Sequence, residues 1–200
     1  MKRIPFEYAV LAISVGVTFA VATPARAQTS AVTDSKRIET SAEKLARGKY
    51  LVTVAGCNDC HTPWVMGPKG PEPDMSRMLS GHPESEKLPA PPAPQGPWIV
   101  SAAATNTAWS GPWGISYTAN LTPDPETGLG KWTQRNFTET IRTGRHMGRG
   151  RQILPPMPIP MYKHFTDADL EAIFSYLQTI PAVKNRVPEP LPATLPVASK

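Results

Sequence analysis

The run Cys57-Asn58-Asp59-Cys60-His61 is where residue types and spacing specify a chemistry in this 200-residue chain. Two thiols three positions apart lie about one helical turn from each other, a separation that lets both add to the vinyl groups of one porphyrin. The imidazole next in sequence then lies under the iron. In an exported chain CxxCH is the attachment signature of haem c, so Cys57 and Cys60 are the expected covalent attachments and His61 the proximal iron ligand. Other uses of two cysteines fit less well. A disulfide would close a very short loop, a thioredoxin-like pair belongs beside a strand–helix–strand pattern that the sequence lacks, and zinc needs further Cys or suitably spaced His residues.

An electron carrier needs a second axial ligand that changes little between oxidation states, and methionine, a soft thioether that favours ferrous iron, is the usual choice. Met66 is too near the attachment site to reach the opposite haem face easily, and Met75 and Met78 fall in an irregular stretch. Met157 is better placed, because prolines at 155, 156 and 158 restrict the backbone and reduce the entropy lost in fixing its sulfur. Met161 is its near rival, Met147 is a further candidate, and His82, His146 and His164 stay open as alternatives.

The elements that must position these groups are helices. Thr40 and Glu43 have capping-box spacing and predict a helix from about residue 41, with Leu45, Tyr50, Leu51 and Val54 as its apolar stripe and Gly56 as its stop. A second, short helix is expected over 133–143, with Phe137 and Ile141 one turn apart and Gly144 ending it. Thr166 and Asp169 open the last helix, whose buried face carries Leu170, Ile173, Phe174 and Leu177 and which Pro181 stops. Between 64 and 113 periodicity disappears under ten prolines, which break helices and remove ladder donors. This stretch reads as a long irregular insertion with no credible strand pairing. Its four tryptophans, Trp64, Trp98, Trp109 and Trp113, favour wrapping over random coil.

Composition and the N-terminus bound the setting. Lys2 and Arg3, the apolar run 8–22 and Ala25-Arg26-Ala27 form a cleavable export signal over 1–27, since the run is shorter than the ~20 residues a spanning helix needs. Cleavage removes Lys2, Arg3, Arg26 and Glu7 and lowers the net charge from +5 to +3. A modestly basic exported chain does not meet nucleic acid, and no second apolar run is long enough to span a membrane. Residues 28–40 read as a flexible lead-in and the prolines of 188–200 as an extended tail. Arg142, Arg145, His146, Arg149 and Arg151 form a basic patch that suits a haem propionate, an acidic redox partner or plain solvation. Trp132 is expected to pack in the haem crevice.

From about residue 42 to 188 the sequence resembles a c-type cytochrome, and it is most similar to a single haem domain of the cytochrome c subunits of bacterial alcohol, aldehyde and gluconate dehydrogenases. The resemblance rests on the CxxCH run, on Asn120-Leu121-Thr122-Pro123-Asp124 with Thr127-Gly128-Leu129-Gly130, on Pro156-Met157-Pro158, and on Thr166-Asp167-Ala168-Asp169-Leu170. It implies an all-α cytochrome c fold over 41–187 around one covalently bound haem c, interrupted by the proline-rich insertion 64–113. It also implies Met157 as the distal iron ligand. Those subunits carry three CxxCH motifs and this chain one. The expected function is a periplasmic single-haem carrier that makes no bonds and passes electrons one at a time from a dehydrogenase to a respiratory acceptor. The alternative is a haem enzyme or small-molecule sensor with a dissociable sixth ligand.

Overall fold

A computed structural model describes residues 39–93 and 97–193. The expected export signal, the lead-in up to residue 38 and the tail from 194 lie outside the described residues.

Helix α1 (Ser41–Val54) starts as its sequence dictates: Thr40 Oγ1 accepts from the Glu43 backbone, and the Glu43 carboxylate accepts from the Thr40 N–H. The same reciprocal cap opens α3 (Gln134–Thr143), with Thr133 and Asn136, and α5 (Asp167–Leu177), with Thr166 and Asp169. Short helices α2 (Cys57–His61) and α4 (Ile159–Tyr162) complete the helical part. Helices α1 and α5 pack side by side. Their contact face is only in part the expected apolar stripe: Leu51 packs against the core and Leu45 is half-buried, but Tyr50 and Val54 are exposed while Gly48 and Val52 are buried. Gly48 decides this: a Cβ there would stand 2.0 Å from the Ala172 carbonyl oxygen, so the absence of a side chain lets the two backbones meet. Ion pairs Lys44–Glu171 and Arg47–Asp169 flank the crossing.

The core collects Val52, Leu79, Phe137, Ile141 and the inner face of α5, which is Leu170, Ile173, Phe174 and Leu177 as the helical spacing predicts. Phe137 and Phe174 lie with ring centroids 5.5 Å apart. Burial of such side chains supplies about 1.5–3 kcal/mol each, which makes α5 the main support of the helical part.

The all-α expectation is overturned, because the chain also builds two antiparallel sheets. Strands β1 (Trp64–Gly67) and β2 (Gly70–Pro73) form a hairpin, and β3 (Ser101–Ala102), β4 (Ala108–Gly111) and β5 (Gly114–Tyr117) form a three-stranded sheet in that order. Parts of the stretch expected to be irregular and unpaired are therefore paired. In β2 the prolines sit opposite Met66 and Trp64, at alternate positions of a two-stranded ribbon, where one parity needs no inward N–H. The strands are two to four residues long, too short for alternation to show in the sequence. The tail also packs: Leu191 exchanges two 2.9 Å backbone hydrogen bonds with Ile115 on the free edge of β5. Among the described residues no helix is long and apolar enough to cross a membrane.

Candidate functional site

Gly56, in the left-handed region at φ +68, ends the approach from α1 and begins α2, so the helix turn that carries the motif starts at Cys57. Thr62 closes it, donating from Oγ1 to Asn58 Oδ1 at 2.9 Å and accepting from the Leu79 N–H at 2.9 Å. Cys57, Cys60 and His61 thus share one five-residue helix.

His61 is buried, and its Nδ1–H donates to the Ala119 carbonyl at 2.8 Å. That bond fixes the ring and the tautomer and leaves Nε2 as the nitrogen with a free lone pair. Burial pushes the imidazole below its ordinary pKa, opposed in part by the bond to Ala119, so it is neutral at pH 7 and competent as a ligand. The Ala119 carbonyl is itself held. Asn120, buried beside it, accepts from the Thr122 N–H and hydroxyl at 3.0 and 2.7 Å and donates to Val183 O at 2.8 Å. The Asn120-Leu121-Thr122 motif is therefore a clasp that ties residues 119–122 to the segment after α5. On the other side Gly81 donates from its N–H to the His61 carbonyl at 2.8 Å. At φ +76 it lies so close to the Thr118 and Ala119 backbone that a Cβ would approach Thr118 O to 2.5 Å.

The cysteines are not joined in a disulfide. Burial raises the Cys57 thiol to about 11, with Asp59 and Cys60 adding to the rise, and burial followed by Asp59 also raises Cys60. Both are protonated at pH 7, whereas a redox-active pair carries a lowered pKa. Among the described residues no group of three His, Cys, Asp or Glu side chains stands close enough to hold a metal ion, which leaves the zinc alternative without ligands. The donor set suits a covalently tethered haem: two thiols on one helix turn and a neutral imidazole pre-oriented by a carbonyl. Met78, Leu121, Trp132, Ile159 and Phe165 pack, like Cys57, against the core.

Met157 is half-buried and packs against the same core as Cys57. Helix α4, which follows it directly, is tied back to the segment between α1 and α2 through the Tyr162 hydroxyl, which donates to the Ala55 carbonyl. Burial, followed by the charges of Cys57, Cys60 and Asp59, pushes the Tyr162 phenol up to about 12. The competing ligands fare differently. Met161 is 70% exposed and Met66 78%. His82 is fully buried, with Nδ1 against Thr107 Oγ1 at 2.9 Å, and His146 and His164 are exposed. Of the rivals, Met78 shares with Met157 a place against the core.

A cavity of about 380 Å³ opens beside Met157, lined by Arg145, Gln152, Ile153, Pro155 and Ile159 among others. The basic patch is divided by its partners. Arg142 donates to the Lys163 carbonyl and pairs with Asp167 at 2.6 Å, which joins α3 to α5, and Arg151 pairs with Glu189 at 3.2 Å. Arg145 donates to Gly150 O at 3.0 Å, and Arg149 is exposed. Trp132, expected in the crevice, is half-buried against the core with His146 edge-on to it at 5.1 Å. Ala119, Gly81 and Tyr162 were not singled out from sequence. The first acts through a backbone carbonyl, which has no side-chain signature, and the other two through contacts between distant segments.

The chain is similar to subunits of bacterial dehydrogenases. The chain is 30% identical over 169 residues to a nicotinate dehydrogenase subunit of Pseudomonas putida, covering 84% of this chain and 11% of that protein. It is 27% identical over 152 residues to the fructose dehydrogenase cytochrome subunit of Gluconobacter japonicus. It is 26% identical over 148 residues to the cytochrome c subunit of the quinone alcohol dehydrogenase of Gluconobacter oxydans. The chain is a cytochrome c-like relative of these dehydrogenase subunits. The last two matches cover 73% and 72% of this chain and 24% of each relative, so this cytochrome-like chain spans a quarter or less of these three relatives. No family model matches it.

Proposed function

We propose that this protein is a periplasmic electron-transfer cytochrome that binds one haem c through Cys57 and Cys60, with His61 as proximal and Met157 as distal ligand. It passes single electrons from a dehydrogenase to a respiratory acceptor. The observation that carries the reading is His61: a buried, neutral imidazole, aimed by the Ala119 carbonyl and adjoining two protonated thiols on one helical turn. The relatives, several of which are named as cytochrome subunits of dehydrogenases, support the electron-transfer class and a dehydrogenase partner. The expected export signal at 1–27 supports the periplasmic setting.

When bound, the haem supplies a ferrous–ferric couple. The chain's own residues hold and tune it. His61 contributes a basic nitrogen strengthened by its bond to Ala119, and Met157 contributes a soft sulfur that favours the ferrous state. The apolar core against which Cys57 and Met157 pack excludes water, so the change of charge is felt in a low dielectric.

The native visible spectrum of the purified holoprotein tests the reading. Low-spin iron with a methionine-to-iron charge-transfer band, and no carbon monoxide binding by the reduced form, is the expected result. High-spin native iron sinks the carrier and supports an enzyme or sensor with a dissociable sixth ligand, to which the cavity beside Met157 would then give access. Met157→Ala is expected to abolish the band and lower the reduction potential. An unchanged spectrum and potential would transfer the distal role, with Met78 the first candidate.

A further inference from the structure

The three-stranded sheet occupies a stretch to which the sequence assigned no role, yet its last strand reaches the loop that carries Met157. Ser116, in β5 and 7% exposed, donates from Oγ to the Pro155 carbonyl at 2.6 Å. Its other acceptor, Trp109 O at 3.4 Å, is the weaker contact. Pro155 lies two residues before Met157. Because residues 155, 156 and 158 are prolines, this loop has few N–H groups with which to fasten itself, and a buried hydroxyl from another element supplies a donor.

The outer edge of the same strand is fastened as well. Leu191 pairs with Ile115 on the outer edge of β5, and Glu189 of the same tail pairs with Arg151 of the segment leading into the Met157 loop. The sheet is held at its edge and grips the loop through one side chain.

We propose that the sheet formed by β3, β4 and β5 is a strut for the distal loop and that Ser116 is a positioning residue for the Met157 sulfur, keeping it on the metal. The proposal rests on the reading that Met157 is the distal ligand. Without the Ser116 bond the loop swings away more often, and a small ligand that competes with the sulfur binds in proportion to the population of that open state. One net hydrogen bond corresponds to about a fivefold change in that population.

The test titrates ferric holoprotein with imidazole and records the charge-transfer band, the reduction potential and the thermal midpoint of the wild type, Ser116→Ala, Ser110→Ala and Met157→Ala. Ser110 stands on β4 opposite Ile115 and provides the same chemical change elsewhere in the sheet. Ser116→Ala should bind imidazole about fivefold more tightly and show a weaker band and a lower potential, with Ser110→Ala unchanged. The proposal is overturned if Ser116→Ala binds imidazole as the wild type does, whatever its thermal midpoint, or if Ser110→Ala shifts affinity equally. If Met157→Ala itself leaves band and affinity unchanged, the ligand reading has failed and the strut falls with it.

Discussion

At the residue scale, the His61 imidazole depends on atoms that belong to no candidate site side chain. Its orienting partner is a backbone oxygen, and the place of that oxygen depends on Gly81 having no Cβ and on a positive φ that other residues adopt only with strain. Gly81→Ala puts a methyl into the Thr118 and Ala119 backbone, and the expected cost is about 1–3 kcal/mol of stability. It should also raise the reduction potential, because an imidazole whose Nδ1–H has lost its acceptor is a less basic ligand to ferric iron. Thermal unfolding and potentiometry of the holoprotein check both effects; a stability loss without a change in potential would disconnect Gly81 from His61. The CxxCH motif and Met157 stand out in the sequence as candidates because covalent and ligating chemistry needs particular side chains at particular intervals. Ala119 could not, because any residue type supplies a carbonyl.

At the scale of elements, the α1–α5 pair carries the molecule. Its two helix starts could be read directly, since the reciprocal bonds of Thr40 with Glu43 and Thr166 with Asp169 are local and spaced three residues apart. The facing of α1 could not, because the partner of Gly48 lies on a helix more than a hundred residues away. Gly48→Ala is expected to destabilise by about 1–3 kcal/mol or more, with denaturant unfolding as the measurement; a neutral result would mean that the crossing is not close.

Asp169 gives this pair a pH dependence. Burial alone would raise its carboxyl, but hydrogen bonds from Thr166 and Arg47 outweigh that and hold it below the ordinary carboxylate range. A depressed folded pKa contributes stability that is fully present above the unfolded value and is lost as the pH falls through the folded one. Stability should therefore decline on acidification below about pH 4. Asp169→Asn should be less stable at neutral pH and show a shallower acid loss in circular dichroism melts at a series of pH values.

At the scale of the whole molecule, the segment after α5 acts as a strap. Asn185, buried, donates to the Ser80 and His82 carbonyls at 2.7 and 2.9 Å and accepts from the Glu84 N–H at 2.8 Å. It ties the last segment to the loop that carries Gly81. Asn185→Ala leaves three backbone groups without their partner, and the expected loss is about 2–4 kcal/mol. Chemical denaturation measures it. A loss under about 1 kcal/mol would mean that other donors or water replace the side chain.

The sequence by itself determined the helix starts and the apolar face of α5, and its CxxCH run carries the haem chemistry that we propose, because each rests on residues at most about a turn or two apart. Only the tertiary structure decided that the proline-rich stretch pairs into sheets, that α1 turns Gly48 rather than Tyr50 inward, and that Ser116 meets the Met157 loop. Strands of two to four residues leave too little periodicity to read. Their stability comes from partners distant in the chain, so local sequence does not encode it.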